Sequence, residues 1–355
     1  FPEMSNLAGS NYTIFAAVER TTDKGNNYIL GSTTTNTGDR DLHFGYRNNT
    51  QTTLAHWGDD VTDNVLAHND PEITPTIVSG WLGSGSKTIK EIKSGVELEA
   101  VDGTSGTLTI VDGEIGRMGG GRNFVGQIGE IIIYTEALTA TQRRDIETYL
   151  AIKYGITMDI STRSYTADGL NLYTHTAYAN DIAGLASNNS QCFVQDTAVS
   201  ANGDAVVSFH SPSDLGNGEY LMFGNNNGAL DWQSTGSPFP YMRMNREWRV
   251  QETGDVGAIS ISIDISSLPT VGTPTAADFA ILFDSDTDLS DGSSSVGVSI
   301  VGNVVTFTGI DLSNGDRFTI GYTPPIRLHS GAAATPNDEA ETATGGSCVD
   351  NVAAN

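Results

Sequence analysis

Short apolar and β-branched runs, broken every few positions by Gly, Asn and Asp, dominate the chain. Residues 12–18, 28–31, 42–46 and 74–82 are such runs, and residues 94–100 and 107–111 continue them. Turn clusters at this spacing predict antiparallel strands packed as a sandwich. One segment breaks the rhythm. Thr139, with Gln142 three positions on, has the form of a capping box, and Gly155 supplies a stop. Between them Ile146, Leu150 and Tyr154 recur at helical spacing. The spacing predicts one helix over 138–155, with that apolar face packed between two sandwiches. No other helix longer than two turns is expected. After it the strand-like runs resume at 205–209, 220–224, 247–251, 258–264, 279–283, 296–301, 304–308 and 317–321. Gly302-Asn303 between two of them suits a two-residue hairpin turn. The pattern divides the chain into a first sandwich with its helix (1–157), a second sandwich (158–324), and a tail or the start of a further module (325–355).

Composition supports an all-β reading and narrows the partners. Only 17% of residues are charged, and 43 acidic residues face 18 basic ones, for a net charge of −25. Such a chain cannot neutralise phosphates, which argues against nucleic acid. No apolar run approaches the ~20 residues that span a bilayer, so no membrane insertion is expected. Cys192 and Cys348 allow one long-range bridge but no disulfide framework. The opening Phe1-Pro2 without an initiator Met reads as a processed or excised piece, in keeping with secretion.

The segment 124–139 (FVGQIGEIIIYTEALT) resembles the closing strand of LamG-like domains of the concanavalin A-like superfamily. Residues 138–159 (LTATQRRDIETYLAIKYGITMD) are similar to a linker helix that follows such domains in large secreted bacterial surface proteins. Residues 178–209, 219–230, 245–266 and 316–322 resemble a β-rich module of unknown function found directly after it. The resemblance implies a concanavalin A-like jelly-roll sandwich plus a second β-sandwich, joined by one helix. It also implies a secreted, cell-surface location. It does not fix an activity, because the fold carries lectins, enzymes and spacers alike.

Two constellations could carry chemistry. Asp284, Asp286, Asp288 and Asp291, followed by Gly292, resemble the start of a calcium loop, in which a turn folds carboxylate oxygens around one hard cation. A solvated acidic hairpin loop accounts for the same residues. Trp57, Asp59, Asp60 and Asp63, beside His56, could hold a sugar, the ring stacking while carboxylates bond hydroxyls. Trp57 as a core filler is the competing reading. Glu97 and Glu99 share a strand face, but the E-x-D-x-x-E signature of glucanases on this fold is missing, so no enzyme is expected. Arg246, Glu247 and Arg249 around Trp248 read as an outward face of paired charges. The expected role is adhesion or extracellular filament assembly without catalysis, with a lectin as the alternative and a glycoside hydrolase as the outsider. The expected partners are a glycan or another surface protein. Self-assembly is a further expectation, because the apolar strand 127–134 finds no obvious mate in the residues before Tyr12 and would recruit an added strand.

Overall fold

The computed structural model describes residues 2–22, 24–33, 41–48, 50–63, 74–102, 108–110, 112–234, 241–286, 288–289 and 292–324. The fold is all-β, and Ala140–Tyr154 is its one α-helix among the described residues. The first sandwich packs a five-stranded antiparallel sheet on a larger one. The five-stranded sheet runs Gly126–Tyr134, Tyr12–Arg20, Thr76–Gly83, Ser86–Lys93, Val96–Asp102. The facing sheet runs Arg117–Met118, Arg122–Asn123, Asn27–Ser32, Leu42–Asn48, Gln51–His56, Asp60–Asp63, with Gly113–Ile115 pairing Asn27–Ser32. Pro2–Leu7 forms a 3-10 turn that buries Met4 and Leu7 in the same core.

The unbroken apolar run 14–18 within Tyr12–Arg20 has a reason. Tyr12, Ile14, Ala16 and Val18 face the sandwich core, while Phe15 and Ala17 face a second cluster with the helix. A strand buried on both faces loses its polar alternation. The neighbouring strand Gly126–Tyr134 is built alike: Ile128, Ile131 and Ile133 pack on one cluster, Ile132 and Tyr134 on the other. Its mate is Tyr12–Arg20, from Thr13 opposite Tyr134 to Arg20 opposite Gly126, with a one-residue bulge between Ala17 and Val18. On its other side no strand pairs with it among the described residues. Of the strand expected at 107–111, residues 108–110 are described and are not in a strand, although Leu108 and Ile110 are buried.

The helix starts and stops as expected. Thr139 and Gln142 exchange the two capping-box bonds, and Gly155 closes the last turn at φ 66°. A side chain at Gly155 would also strike the Val199 carbonyl at 2.3 Å. The buried face differs from the apolar stripe. Leu150, Ala151 and Ile152 are buried, but so are Arg144, Glu147 and Thr148, while Ile146 and Tyr154 are only partly covered. Arg144 and Glu147 can be buried because each meets an opposite charge. Lys90 Nζ lies 2.8 Å from Glu147 and 2.9 Å from Glu97, and Arg144 bonds Glu97. Arg144 also donates to the carbonyls of Asp159, Arg163 and Ser164 at 2.8–2.9 Å.

The second sandwich faces an eight-stranded sheet with a five-stranded one. The larger includes Asn180–Asn188, Glu219–Asn225, Met242–Thr253, Arg317–Tyr322 and Phe279–Asp284 in that order. The smaller runs Thr197–Val199, Val207–His210, Ile259–Asp264, Val304–Ile310, Ser299–Val301. Gly302, at φ 60°, turns the hairpin in which Val301 opposes Val304. A short hairpin, Tyr165–Ala167 with Leu170–Tyr173, covers the junction with the helix. The outward face read around Trp248 needs correction. Met244, Arg246, Trp248 and Val250 all point inward, so Arg246 is buried and only Glu247 and Arg249 share the outer face. Arg246 is tolerated there because it bonds Asp181 at 3.3 Å and Asp204 at 2.9 Å. Cys192 is exposed, while Cys348 and the tail 325–355 lie outside the described residues.

Candidate functional site

Alternation along Leu42–Asn48 builds the site. Leu42, Phe44 and Tyr46 enter the core, which turns His43 and Arg47 to the opposite face of the sheet. Gly45 between them, at φ 141°, leaves no room for a side chain, because the Ile29 nitrogen lies 2.7 Å from where its Cβ would be. Tyr28 on the adjoining strand packs its ring 5.0 Å from His43. The Gln51–His56 strand then ends in Trp57, held at φ 46°. For a bulky residue that backbone is an outlier, and such outliers gather where a site over-determines them. Trp57 is half-buried, lies edge-on to His43 at 6.0 Å, and carries the Arg122 guanidinium 5.3 Å above its ring. It is a wall of this outer cluster and not a core filler.

Asp60 completes it. Its carboxylate pairs with Arg47 and faces His43 Nε2 at 3.8 Å. Partial burial alone would push Asp60 up, but His43 and Arg47 outweigh it and hold the carboxyl down at about 2. The Tyr28 hydroxyl is raised, first by burial, with Arg47 and Arg122 pulling the other way and Asp60 adding to the rise. Two guanidiniums and one carboxylate therefore converge on it. Of the expected quartet, the structure brings together Trp57 and Asp60. Asp59 turns the other way, its carboxylate 2.7 Å from the fully buried Lys87 ammonium on the five-stranded sheet. Asp63 pairs with Thr52 at the far end of its strand. Tyr28, His43, Arg47 and Arg122 escaped the sequence reading, although parity with the core residues Leu42, Phe44 and Tyr46 marks His43 and Arg47.

The acidic loop of the second sandwich lies apart. Asp284 Oδ1 accepts from the Asp286 N–H at 2.9 Å, and Asp286 Oδ1 accepts from the Asp288 N–H at 2.6 Å. Asp291 lies outside the described residues. Glu97, one of the paired glutamates, is held by Lys90 and Arg144. A cleft of about 420 Å³ opens beside the helix start, lined by Thr141, Arg144, Thr162, Arg163, Ser164 and Thr166. It is remote from Trp57, and the Arg144 donors in it are already committed to carbonyls and Glu97.

The profile of a domain of unknown function (DUF8202) matches residues 142–316, from within the helix through most of the second sandwich. No curated protein matches the chain. Similar solved structures include a Ruminococcus gnavus IT-sialidase CBM40, at 13% identity and a TM-score of 0.29, covering 38% of this chain and 82% of that one. The LG1-3 region of the laminin α2 chain matches at 12% identity and a TM-score of 0.30, over 93% of this chain and 59% of its own length. Domains LG4-5 of the mouse laminin α1 chain match at 10% identity and a TM-score of 0.27, over 87% and 75%.

Proposed function

We propose that the chain is a non-catalytic, secreted surface protein of bacterial type that acts in adhesion, and that its first sandwich holds a glycan against Trp57. The observation that carries this is Trp57 itself: a half-buried indole in a left-handed backbone, with His43 at its edge, Arg122 over one face, and Asp60 beside His43. An indole face takes the apolar side of a sugar ring, while the Arg, His and Asp groups around it bond hydroxyls. Glu97 has no freedom to act with Glu99 as an acid–nucleophile pair, because two cations hold it. Glycan-array binding followed by titration of the best hit tests the reading. Trp57→Ala should weaken binding by roughly tenfold or more, as expected when one anchor residue carries much of the contact. An array without hits rejects the glycan, and release of reducing sugar from an array ligand rejects the non-catalytic part.

A second reading concerns assembly. The open edge of Gly126–Tyr134 carries apolar side chains on both faces, as interior strands do. We infer that it accepts an added strand from another polypeptide in an extracellular filament.

A further inference from the structure

Arg249 and Arg317 are direct register partners on adjacent strands of the second sandwich. Trp248, Val250 and Phe318 beside them face the core, so both arginines stand on the opposite face, each half-buried. Like charges directly opposite one another destabilise a sheet. A carboxylate between them would relieve this, and the chain has 43 acidic residues to choose from. None is used. Among the described residues Arg249 reaches only the Gly315 carbonyl, at 3.3 Å, and the Arg317 guanidinium lies 5.5 Å over the Tyr178 ring.

The nearest acids are engaged elsewhere. Glu247 pairs with Arg243 and accepts from the Tyr178 hydroxyl at 3.4 Å. Asp284 opposes Arg317 across the next strand but makes no ion pair with it among the described residues, and its Oδ1 accepts from the Asp286 N–H. His175 closes the group. Its Nε2 is buried with no hydrogen-bond partner among the described residues. Burial, and then the Arg249 charge, hold its protonation down, with Arg317 adding to the effect. Two guanidinium groups thus stand side by side on one face with no carboxylate between them.

We propose that Arg249 and Arg317, beside His175, form a site for a tetrahedral oxyanion, either free or carried as a sulfate ester on a polysaccharide. Two guanidinium forks present more N–H donors than the two oxygens of a planar carboxylate meet singly, and a tetrahedral anion supplies the further oxygens. Binding would turn a repulsive cross-strand pair into a bridged one.

Calorimetry and thermal melts of the full chain test this with sodium sulfate, sodium phosphate and a chondroitin sulfate hexasaccharide, against sodium chloride at equal ionic strength. Sulfate or phosphate should stabilise the protein beyond chloride, or the hexasaccharide should bind. A response to the inorganic ions identifies the free anion as sufficient, and a response to the hexasaccharide alone identifies the ester. R249Q and R317Q should each weaken the response at least tenfold, while R117Q, in the first sandwich, leaves it unchanged. The double variant R249Q/R317Q should melt higher than the parent in anion-free buffer, because the like-charge opposition is gone. No response to any of the three anions overturns the proposal. So does an equal loss in R117Q, or a double variant that melts lower.

Discussion

Arg144 offers the most exacting test of how the helix is held. Its side chain is 3% exposed and serves Glu97 together with three backbone carbonyls. With Lys90, Glu97 and Glu147 it forms a neutral group of two cations and two carboxylates. Arg144→Met keeps much of the volume but leaves one buried carboxylate in excess and strands the three carbonyls. Removing one member of a buried ion pair costs about 3–5 kcal/mol. Each carbonyl left without its donor adds up to roughly 1 kcal/mol where water cannot reach it. A loss of about 4 kcal/mol is therefore expected, since some carbonyls will recruit water. Arg144→Lys restores the charge but not the fork, and should recover about half of that loss. Urea denaturation read by tryptophan fluorescence and by far-UV circular dichroism measures it. Because the helix joins two sandwiches, the variant should also split one transition into two. A loss under about 1 kcal/mol with a single transition would show that apolar packing at Leu150 and Ile152 holds the junction without the ions.

Three further outcomes are expected. A calcium ion on Asp284, Asp286, Asp288 and Asp291, which among the described residues do not already gather into a metal-holding group, would raise the melting temperature with free ion concentration, and Asp286→Ala would abolish the shift. A melting temperature indifferent to calcium removes the ion from this loop. Asp60, held at about 2 against an ordinary 3.8, contributes stability that is present above pH 3.8 and lost as pH falls through about 2. Asp60→Asn should therefore destabilise the protein at pH 7 and cease to do so near pH 2, and a difference independent of pH would refute the pairing. Ile132→Pro places a ring in the open-edged strand Gly126–Tyr134, and should abolish any concentration-dependent association seen by light scattering. A parent that stays monomeric at millimolar concentration refutes strand addition.

Much of the fold was legible because its signals are local. The helix was marked at both ends by Thr139, Gln142 and Gly155, whose roles depend on residues within one turn. Most strands after residue 205 were visible for the same reason, as was the Gly302 hairpin, whereas Asn180–Asn188 was not. What was missed turns on partners far off in sequence. Arg246 was read outward because it is charged, although its parity with Met244 and Trp248 already placed it inside. Parity won because Asp181 and Asp204 wait there, 65 and 42 positions earlier. Asp59 and Asp60 looked like one acidic group, yet neighbours in an extended chain point to opposite faces. One therefore serves Lys87 and the other the outer cluster. Arg122 reaches Trp57 only because two short strands bring a distant loop alongside.

The distribution of the few cations explains how an acidic chain can still present sites for anions or sugars. Lys87, Lys90, Arg144 and Arg246 are buried, each against carboxylates, so the interior is close to neutral. The net charge of −25 must then sit largely on the surface. At a distance such a surface repels acidic ligands, and the repulsion fades over a Debye length of about 8 Å at physiological salt. Within that distance the local charges decide. Arg47 and Arg122 flank Tyr28 and Trp57, and Arg249 and Arg317 flank His175. Cations set in aromatic surroundings and half-withdrawn from water act at short range and are screened weakly by salt. Affinity at either cluster is therefore set by contact and not by steering. Salt that weakens the long-range repulsion leaves the contacts in place, so binding of an acidic glycan should hold or tighten as ionic strength rises toward the physiological range, the reverse of what a basic protein shows.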